Sequence, residues 1–190
     1  MAHDDVTIRF WNLESGKLEN EVYLVRGSSL PLYRGRFSQD GKRFAGAFQA
    51  LDSRPGKICV WRTSDGAVLR ERPTKDRGGA RVAFSPDGWR LAVSSREGEK
   101  SIVIDWDLET DMISLVHEDE VTQQWLAYTP DGRFLFFGSP HQIWSVADQK
   151  LVEIPTDWNR MSVLAISPGA TFVCTAGGYL WKMDSILKER

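Results

Sequence analysis

Ser85-Pro86-Asp87-Gly88 is the stretch that decides the fold, because the same turn signal returns along the chain. Each residue type favours a tight turn for its own reason: Pro fixes φ, Asp bonds the following backbone, and Gly accepts positive φ. The further copies are Ser38-Gln39-Asp40-Gly41, Thr129-Pro130-Asp131-Gly132 and the degenerate Ser167-Pro168-Gly169-Ala170. The four turns begin 47, 44 and 38 residues apart. Such a period predicts a repeat protein with one supersecondary unit per repeat.

Tryptophan keeps the same period as the turns. The chain contains eight Trp residues, and five of them are separated by 50, 45, 38 and 37 residues. These five are Trp11, Trp61, Trp106, Trp144 and Trp181. Each ends a short apolar stretch, as in Ile58-Cys59-Val60-Trp61. We predict that the five are structural residues of the repeat, buried at equivalent positions in the core.

The residues around each turn have the pattern of short strands. An apolar residue precedes every turn, and apolar residues recur with a period of two, which is typical of a strand. After the turn, pairs such as Leu91-Ala92 are apolar on both faces, which predicts a central strand buried on both sides. A polar fourth strand follows most of the Trp residues, as at 67–72. The sequence therefore predicts an all-β protein built from four-stranded antiparallel units, the construction of a β-propeller.

On these residues the sequence resembles the WD40 repeat family across essentially its whole length. Asp5-Val6-Thr7-Ile8-Arg9-Phe10-Trp11 matches the D-x-T-I-R-L-W strand of that family almost letter for letter. Ser85-Pro86-Asp87-Gly88 and Trp106-Asp107 also match its motifs. The resemblance implies a β-propeller with divergent repeats. It also implies structural roles for the aspartates of the repeat, which are Asp5, Asp40, Asp87 and Asp131.

The sequence departs from the WD40 pattern at several positions. Only one of the five Trp residues precedes an Asp, and no Gly-His dipeptide is present. The Asp-His-Ser/Thr-Trp hydrogen-bond tetrad of the family is therefore expected to be absent or incomplete. His117 keeps the family's spacing to Val121, so it is either a tetrad-like structural residue or an ordinary loop residue. Asp105 places a carboxylate where the family prefers an aliphatic side chain.

The repeats divide residues 1–190 into about four and a half blades of a single propeller region. We predict a partial blade at 1–30, blades at 31–73, 79–116 and 122–154, and a partial blade at 161–190. The commonest WD40 propeller resembles a ring of about seven blades. The chain is thus interpreted as part of a longer protein, or as a half that closes by self-association. Because each end would leave an apolar face uncovered, we predict an open arc rather than a closed ring.

Composition and charge restrict the possible partners. The formal net charge is −2, which gives no reason to expect nucleic-acid binding. No apolar run approaches the roughly 20 residues that span a bilayer, so no membrane association is expected. The N-terminus lacks the apolar core of a signal peptide, which favours a cytoplasmic location. Cys59 and Cys174 lie far apart in apolar, strand-like segments and are interpreted as buried free thiols.

The sequence offers little catalytic chemistry. It contains three histidines, and it has no HExxH, GxSxG, P-loop or GxGxxG stretch. His3-Asp4-Asp5 could be a metal site, but a frayed terminus beside a structural Asp5 is the better interpretation. We therefore predict no catalytic residue, no metal ligand and no cofactor. The chain is expected not to be an enzyme.

The function predicted is a protein-interaction scaffold that presents the loops on one face of a WD40 propeller to proteins or peptides. The candidate partner-binding residues are Arg54, Lys75, Arg77, Arg96, Trp158 and Arg160. Trp and Arg are enriched at interface hot spots, although Trp158 could instead cover a junction between blades. Trp89, which follows a turn, is expected at the opposite rim. The alternative function is a propeller domain that regulates, or forms part of, an enzyme whose catalytic portion lies outside this chain.

Overall fold

Five antiparallel sheets follow one another along the chain in the computed structural model, which describes residues 4–28, 32–49, 55–74, 80–119, 125–138, 141–154, 163–175 and 178–187. Sheet 1 has two strands, β1 (Asp4–Trp11) and β2 (Leu18–Ser28). Sheet 2 has four strands, β3 (Leu32–Phe37), β4 (Arg43–Phe48), β5 (Gly56–Arg62) and β6 (Val68–Thr74).

Sheets 3 and 4 repeat the four-stranded arrangement. Sheet 3 contains β7 (Arg81–Phe84), β8 (Arg90–Glu97), β9 (Lys100–Asp107) and β10 (Ile113–Asp119). Sheet 4 contains β11 (Leu126–Tyr128), β12 (Phe134–Gly138), β13 (His141–Ser145) and β14 (Lys150–Leu151). Sheet 5 contains β15 (Val163–Ile166), β16 (Phe172–Thr175) and β17 (Leu180–Lys182), followed by the helical turn α1 (Met183–Ile186). The predicted all-β class with four-stranded antiparallel units is confirmed.

The four complete or nearly complete sheets share one register. Strands that are neighbours in sequence are neighbours in each sheet. In sheets 2 to 5 the second residue of the second strand is apolar and lies opposite the repeat tryptophan. These pairs are Phe44 with Trp61, Leu91 with Trp106, Leu135 with Trp144, and Val173 with Trp181. The repeat in the sequence is therefore a repeat in strand pairing.

In sheets 2 to 4 the repeat tryptophan packs against the preceding sheet. Trp61 packs in a cluster with Val22 and Leu24 of sheet 1. Trp106 clusters with Val60 of sheet 2, and Trp144 clusters with residues of sheet 3. Among the described residues, no strand pairing and no hydrophobic cluster joins sheet 1 to sheet 5. The sheets thus form an open series, as predicted.

Side-chain hydrogen bonds close the repeated turn between the first and second strands. Ser85 Oγ donates to Asp87 Oδ1 over 2.6 Å and accepts from the Arg90 N–H over 2.9 Å. Asp87 Oδ1 in turn accepts from the Trp89 N–H over 2.9 Å. Gly88 has φ of +73°, a conformation that Gly adopts without steric cost. The turns that start at Ser38 and Thr129 have the same hydroxyl-to-carboxylate bond, again 2.6 Å long.

The degenerate fourth turn keeps this geometry without the aspartate. Ser167 Oγ still accepts from the Phe172 N–H over 2.9 Å. Ala170 occupies the position of the turn glycine and has φ of 52°. A residue with a Cβ is strained in this left-handed region, so the fourth turn holds its shape at a cost in free energy.

A second repeated turn follows the tryptophan and escaped the sequence analysis. The fifth residue after the Trp has positive φ in sheets 1 to 4, and these residues are Gly16, Gly66, Asp111 and Gln149. The residue directly after the Trp caps the turn in two of them. Asn12 Oδ1 accepts from two backbone N–H groups, at 3.0 and 2.7 Å, and Asp107 Oδ1 does the same at 3.0 and 2.9 Å. Asn12 therefore caps this turn in sheet 1 as Asp107 does in sheet 3.

The prediction that all five repeat tryptophans are buried is wrong for Trp11, and Trp181 is only partly buried. Trp61 and Trp106 are fully buried, whereas Trp11 is 55% exposed. The reason is positional, because the repeat Trp faces the preceding sheet and no described residue lies on that side of sheet 1. Leu13 shows the same effect and is 98% exposed, although Leu108, at the same place in sheet 3, is buried.

The C-terminal end differs from the expected uncapped strand. After Lys182 the chain forms α1 instead of a fourth strand, and the Met183 N–H donates to the Thr171 carbonyl over 2.8 Å. Met183, Ile186 and Leu187 are buried in the apolar cluster between sheets 4 and 5. Leu180 lies on the other face of sheet 5 and is 68% exposed. α1 therefore packs on the face of sheet 5 that is turned toward sheet 4. Among the described residues, the opposite face, which carries Leu180, is left exposed.

Replacing a repeat tryptophan should cost stability only where the structure buries it. We expect Trp106→Ala to lower the free energy of unfolding by about 3–5 kcal/mol, because a large buried side chain leaves a cavity. Trp11→Ala should cost about 1 kcal/mol or less, because more than half of its surface is already in water. Urea denaturation followed by circular dichroism measures both. Equal losses for the two variants would contradict the packing described here.

Opposite substitutions at equivalent turn positions should shift stability in opposite directions. Ala170→Gly removes a Cβ from a left-handed residue and should raise the free energy of unfolding by about 0.5 kcal/mol. Gly88→Ala should lower it by about 1–2 kcal/mol, because φ is positive there. A Cβ at position 88 would also lie 3.1 Å from Arg43 Nη1. Thermal melting of both variants tests the pair, and shifts of the same sign would refute the assignment.

Candidate interaction surface

A crevice opens between sheets 2 and 3 at the end of the sheets that carries the repeated turns. Its volume is about 400 Å³. The floor is apolar and the rim is mainly basic. The apolar residues are Val60, Leu69, Leu108 and Trp89, and the charged residues are Lys42, Arg43, Arg62, Arg70 and Glu109. We call this cavity the basic crevice.

The repeated turns hold Trp89 in place at the basic crevice. The backbone N–H of Trp89 donates to Asp87 Oδ1, and the backbone carbonyl of Trp89 accepts from the Leu108 N–H over 2.8 Å. The side chain is 46% exposed. The guanidinium carbon of Arg43, from sheet 2, lies 3.7 Å from the centroid of the Trp89 ring. This cation–π contact joins two sheets across the crevice and fixes the orientation of the aromatic surface.

Arg70 joins the same two sheets at the other wall. Arg70 Nη2 donates to the Glu109 carbonyl of sheet 3 over 3.0 Å, and Nη1 donates to the Leu69 carbonyl over 2.8 Å. Its Nε is buried without a hydrogen-bond partner among the described residues, and the nearest carboxylate oxygen, from Asp111, is 3.7 Å away. These two hydrogen bonds therefore fix the Arg70 side chain in the wall of the crevice, and its Nε donor is unpaired among the described residues.

The more exposed basic residues are Lys42 and Arg62. Arg62 Nη1 lies 2.7 Å from Asp65 Oδ2 in the turn after Trp61. Hydrogen bonds from the Ala67 N–H and from the Arg62 guanidinium hold the pKa of the Asp65 carboxyl below its usual value. The Asp65 carboxylate is therefore charged at neutral pH. The pair is in water, so a competing carboxylate can displace Asp65 at little cost.

A second cavity, of about 470 Å³, lies along the first strands of sheets 2 to 4. Arg36, Ala83 and Ala127 line it, at the position where the sequence has a small residue in most repeats. The prolines of the repeated turns surround its mouth, and they are Pro86, Pro130 and Pro168. The small residues of the repeat therefore face the inner side of the series of sheets.

One buried polar cluster joins sheets 3 and 4. Asp105 is buried, Arg90 Nη1 lies 2.5 Å from its Oδ2, and the Tyr128 hydroxyl donates to its Oδ1 over 2.6 Å. Burial, followed by the negative charge of Asp105, raises the pKa of Tyr128 well above its ordinary value. The phenol therefore stays protonated and remains a donor. The cluster explains how a carboxylate is tolerated where the family prefers an aliphatic side chain: both oxygens are paired.

Of the six predicted partner-binding residues, the structure describes only Arg96. Arg96 is exposed near the end of β8, at the opposite end of sheet 3 from the basic crevice. Arg54, Lys75, Arg77, Trp158 and Arg160 lie outside the described residues. The basic crevice is therefore the candidate site among the described residues, and the sequence analysis did not find it. The position of Trp89 directly after a turn indicates an exposed aromatic side chain, but nothing in the sequence shows that Arg43 contacts it.

The structure also describes Asp5 and His117, two further predicted structural residues. Asp5 is exposed in β1. His117 lies in the strand β10, so the loop interpretation is wrong. Its Nε2 is buried without a hydrogen-bond partner in the described part of the chain and lies 3.6 Å from Asp119 Oδ2. The His117 ring packs 5.4 Å from the ring of Phe137 in sheet 4.

The thiols and possible metal ligands show no reactive arrangement within the described ranges. Cys59 is buried, and burial raises the pKa of its thiol to about 12. Cys174 is only partly buried, in contrast to the sequence interpretation. In the part of the chain that the structure describes, no three His, Cys, Asp or Glu residues lie together as metal ligands would. No helix there is long and apolar enough to span a bilayer.

The series of sheets defines the chain as a β-propeller fold. Solved structures similar to it include TolB from Acinetobacter baumannii, with 16% sequence identity and a TM-score of 0.64 over 95% of this chain and 47% of that one. The β-propeller domain of the Trilobed protease from Pyrococcus furiosus has 19% identity and a TM-score of 0.61 over 77% and 48% of the two chains. The Myceliophteria thermophila Cps50 (Swd1) β-propeller domain has 16% identity and a TM-score of 0.62 over 89% and 55%.

These similarities establish the fold of the chain. The chain spans about half the length of these three solved structures. No protein-family model matches the sequence. No curated protein matches it either.

The buried cluster should behave as a coupled unit. We expect Tyr128→Phe to lower the free energy of unfolding by about 1–3 kcal/mol, because the buried Asp105 carboxylate loses a donor. Asp105→Ile should also destabilise, since it leaves the hydroxyl unpaired. The double variant should lose less than the sum of the single losses, because the two side chains share one interaction. A double-mutant cycle in urea measures the coupling, and additive losses would refute it.

Proposed function

We propose that this chain is a non-catalytic protein-interaction scaffold of the WD40 type. The observation that supports this most directly is the basic crevice, in which two packed sheets hold Trp89 and Arg43 in contact at a half-exposed position. Trp and Arg are among the residues most enriched at interface hot spots. Both are held by the fold before any partner arrives, which lowers the entropy cost of binding. The D-x-T-I-R-L-W-like strand and the Ser-Pro-Asp-Gly turns support the WD40 assignment.

A second contact surface is proposed around Arg96, at the end of sheet 3 opposite the basic crevice. Arg54, Lys75, Arg77, Trp158 and Arg160 also remain predicted partner-binding residues. Partners of this kind are other proteins or peptides, and a cytoplasmic location remains part of the proposal. Self-association is also proposed, because the exposed Trp11 and Leu180 lie on the two outward faces of the series.

The alternative is a propeller that regulates, or forms part of, an enzyme. Its support is that one similar solved structure is the β-propeller domain of a protease. In that case the surfaces proposed here would contact a catalytic domain instead of a separate partner.

Capture of partners from an extract of the source cells tests the scaffold function. We expect Trp89→Ala to reduce capture of specific partners by roughly tenfold or more, because a central hot spot contributes about 2 kcal/mol or more. Leu115→Ala is the control, since it removes an exposed apolar side chain of β10 that does not line the basic crevice. Trp158→Ala/Arg160→Ala tests the loop end. If neither Trp89→Ala nor the double variant changes capture, binding at these two surfaces is refuted.

A further inference from the structure

We infer that the basic crevice binds a linear peptide segment in which acidic residues flank an apolar side chain. The inference rests on the proposed scaffold function and adds the chemistry of the partner to it. Its basis is the combination of an apolar floor with a basic rim in a cavity of about 400 Å³. That volume is within the range of roughly 300–1,000 Å³ typical of ligand pockets.

The apolar floor of the basic crevice favours an apolar side chain in the bound peptide. Val60 and Leu69 come from sheet 2, and Leu108 and Trp89 come from sheet 3. Val60 and Leu108 are buried in the cluster that holds the two sheets together, so the floor is rigid. Because Trp89 leaves nearly half of its surface in water, an apolar side chain that covers it gains burial with no rearrangement of the sheets.

The basic rim of the crevice favours peptide carboxylates next to that apolar side chain. Four basic residues line the crevice against a single acidic one, Glu109. The guanidinium group of Arg62 suits bidentate binding of a carboxylate, and Lys42 adds a mobile positive charge. Both side chains are exposed on the rim, so they can turn toward a ligand without breaking the core.

The surroundings disfavour a polyanion such as nucleic acid. Asp40, Asp65 and Asp111 stand behind the rim, each within 4 Å of one of its arginines. Together with Glu109 these three carboxylates balance the four positive charges of the rim at longer distances, and the whole chain has a net charge of −2. A ligand gains from the rim only when its carboxylates reach the arginines directly. A short acidic peptide meets that requirement, whereas a long polyanion also places charge near the carboxylates behind the rim, which repel it.

Selection from a displayed library of random linear peptides tests the chemistry directly. The wild-type chain is the bait, and Lys42→Glu/Arg62→Glu is the counter-selection variant. We expect enrichment of peptides that combine Asp or Glu with Leu, Phe or Trp. In fluorescence anisotropy their affinity should fall by about tenfold or more with Trp89→Ala and with Lys42→Glu/Arg62→Glu, and it should fall with added salt.

A matched control separates local chemistry from net charge. Lys150→Glu/Lys182→Glu makes the same change in charge on exposed residues of sheets 4 and 5, outside the basic crevice, and it should leave the affinity unchanged. Circular dichroism and thermal melting show that each variant is folded. Enriched peptides without acidic residues, no enrichment, or affinity that is indifferent to Trp89→Ala would overturn the inference. If capture of partners still depends on Trp89 in that case, the scaffold proposal stands and only the peptide chemistry is wrong.

Discussion

The packing of each tryptophan-bearing face against the preceding sheet is the contact on which the rest of this structure depends. The central strands are apolar on both faces, so a sheet alone would leave half of its apolar surface in water. Phe136 and Ile143 have no exposed surface because sheet 5 covers them, as sheet 3 covers the opposite face of sheet 4. Stability is therefore shared between neighbours, as in other repeat proteins. The same contact explains the exposure of Trp11 and Leu180, which face outward at the two ends.

The turns make this packing repeatable. A hydroxyl and a carboxylate bond the backbone at each main turn, which fixes where the second strand starts and thus where the Trp meets its partner. The local geometry matters more than the residue type. Ser167 and Ala170 form the turn without an aspartate, and Asp111 and Gln149 take positive φ where Gly16 and Gly66 do so without a Cβ. Loss of a motif letter in this sequence is therefore compatible with the fold, at a cost in strain.

Polar groups enter the junctions between sheets where the repeat varies. Asp105 occupies a position where the next sheet has Ile143, and Arg90 and Tyr128 offset its buried charge. The basic crevice has a similar origin, since Arg43 and Trp89 stand at repeat positions of adjacent sheets and meet across the junction. The backbone geometry that repeats from sheet to sheet supplies the scaffold. The side chains that differ between repeats at the junctions give the surface its chemistry.

The sequence by itself determined the all-β class, the repeat and the positions of the main turns. Those features are local, because Pro, Asp and Gly act on their own backbone and a period of two is visible within one strand. Only the tertiary structure decided that Trp11 is exposed, that α1 replaces the last strand, and that Arg43 lies on Trp89. Each of these depends on which side chain a neighbouring sheet places opposite. That neighbour is about forty residues away in sequence, and no local pattern encodes the contact.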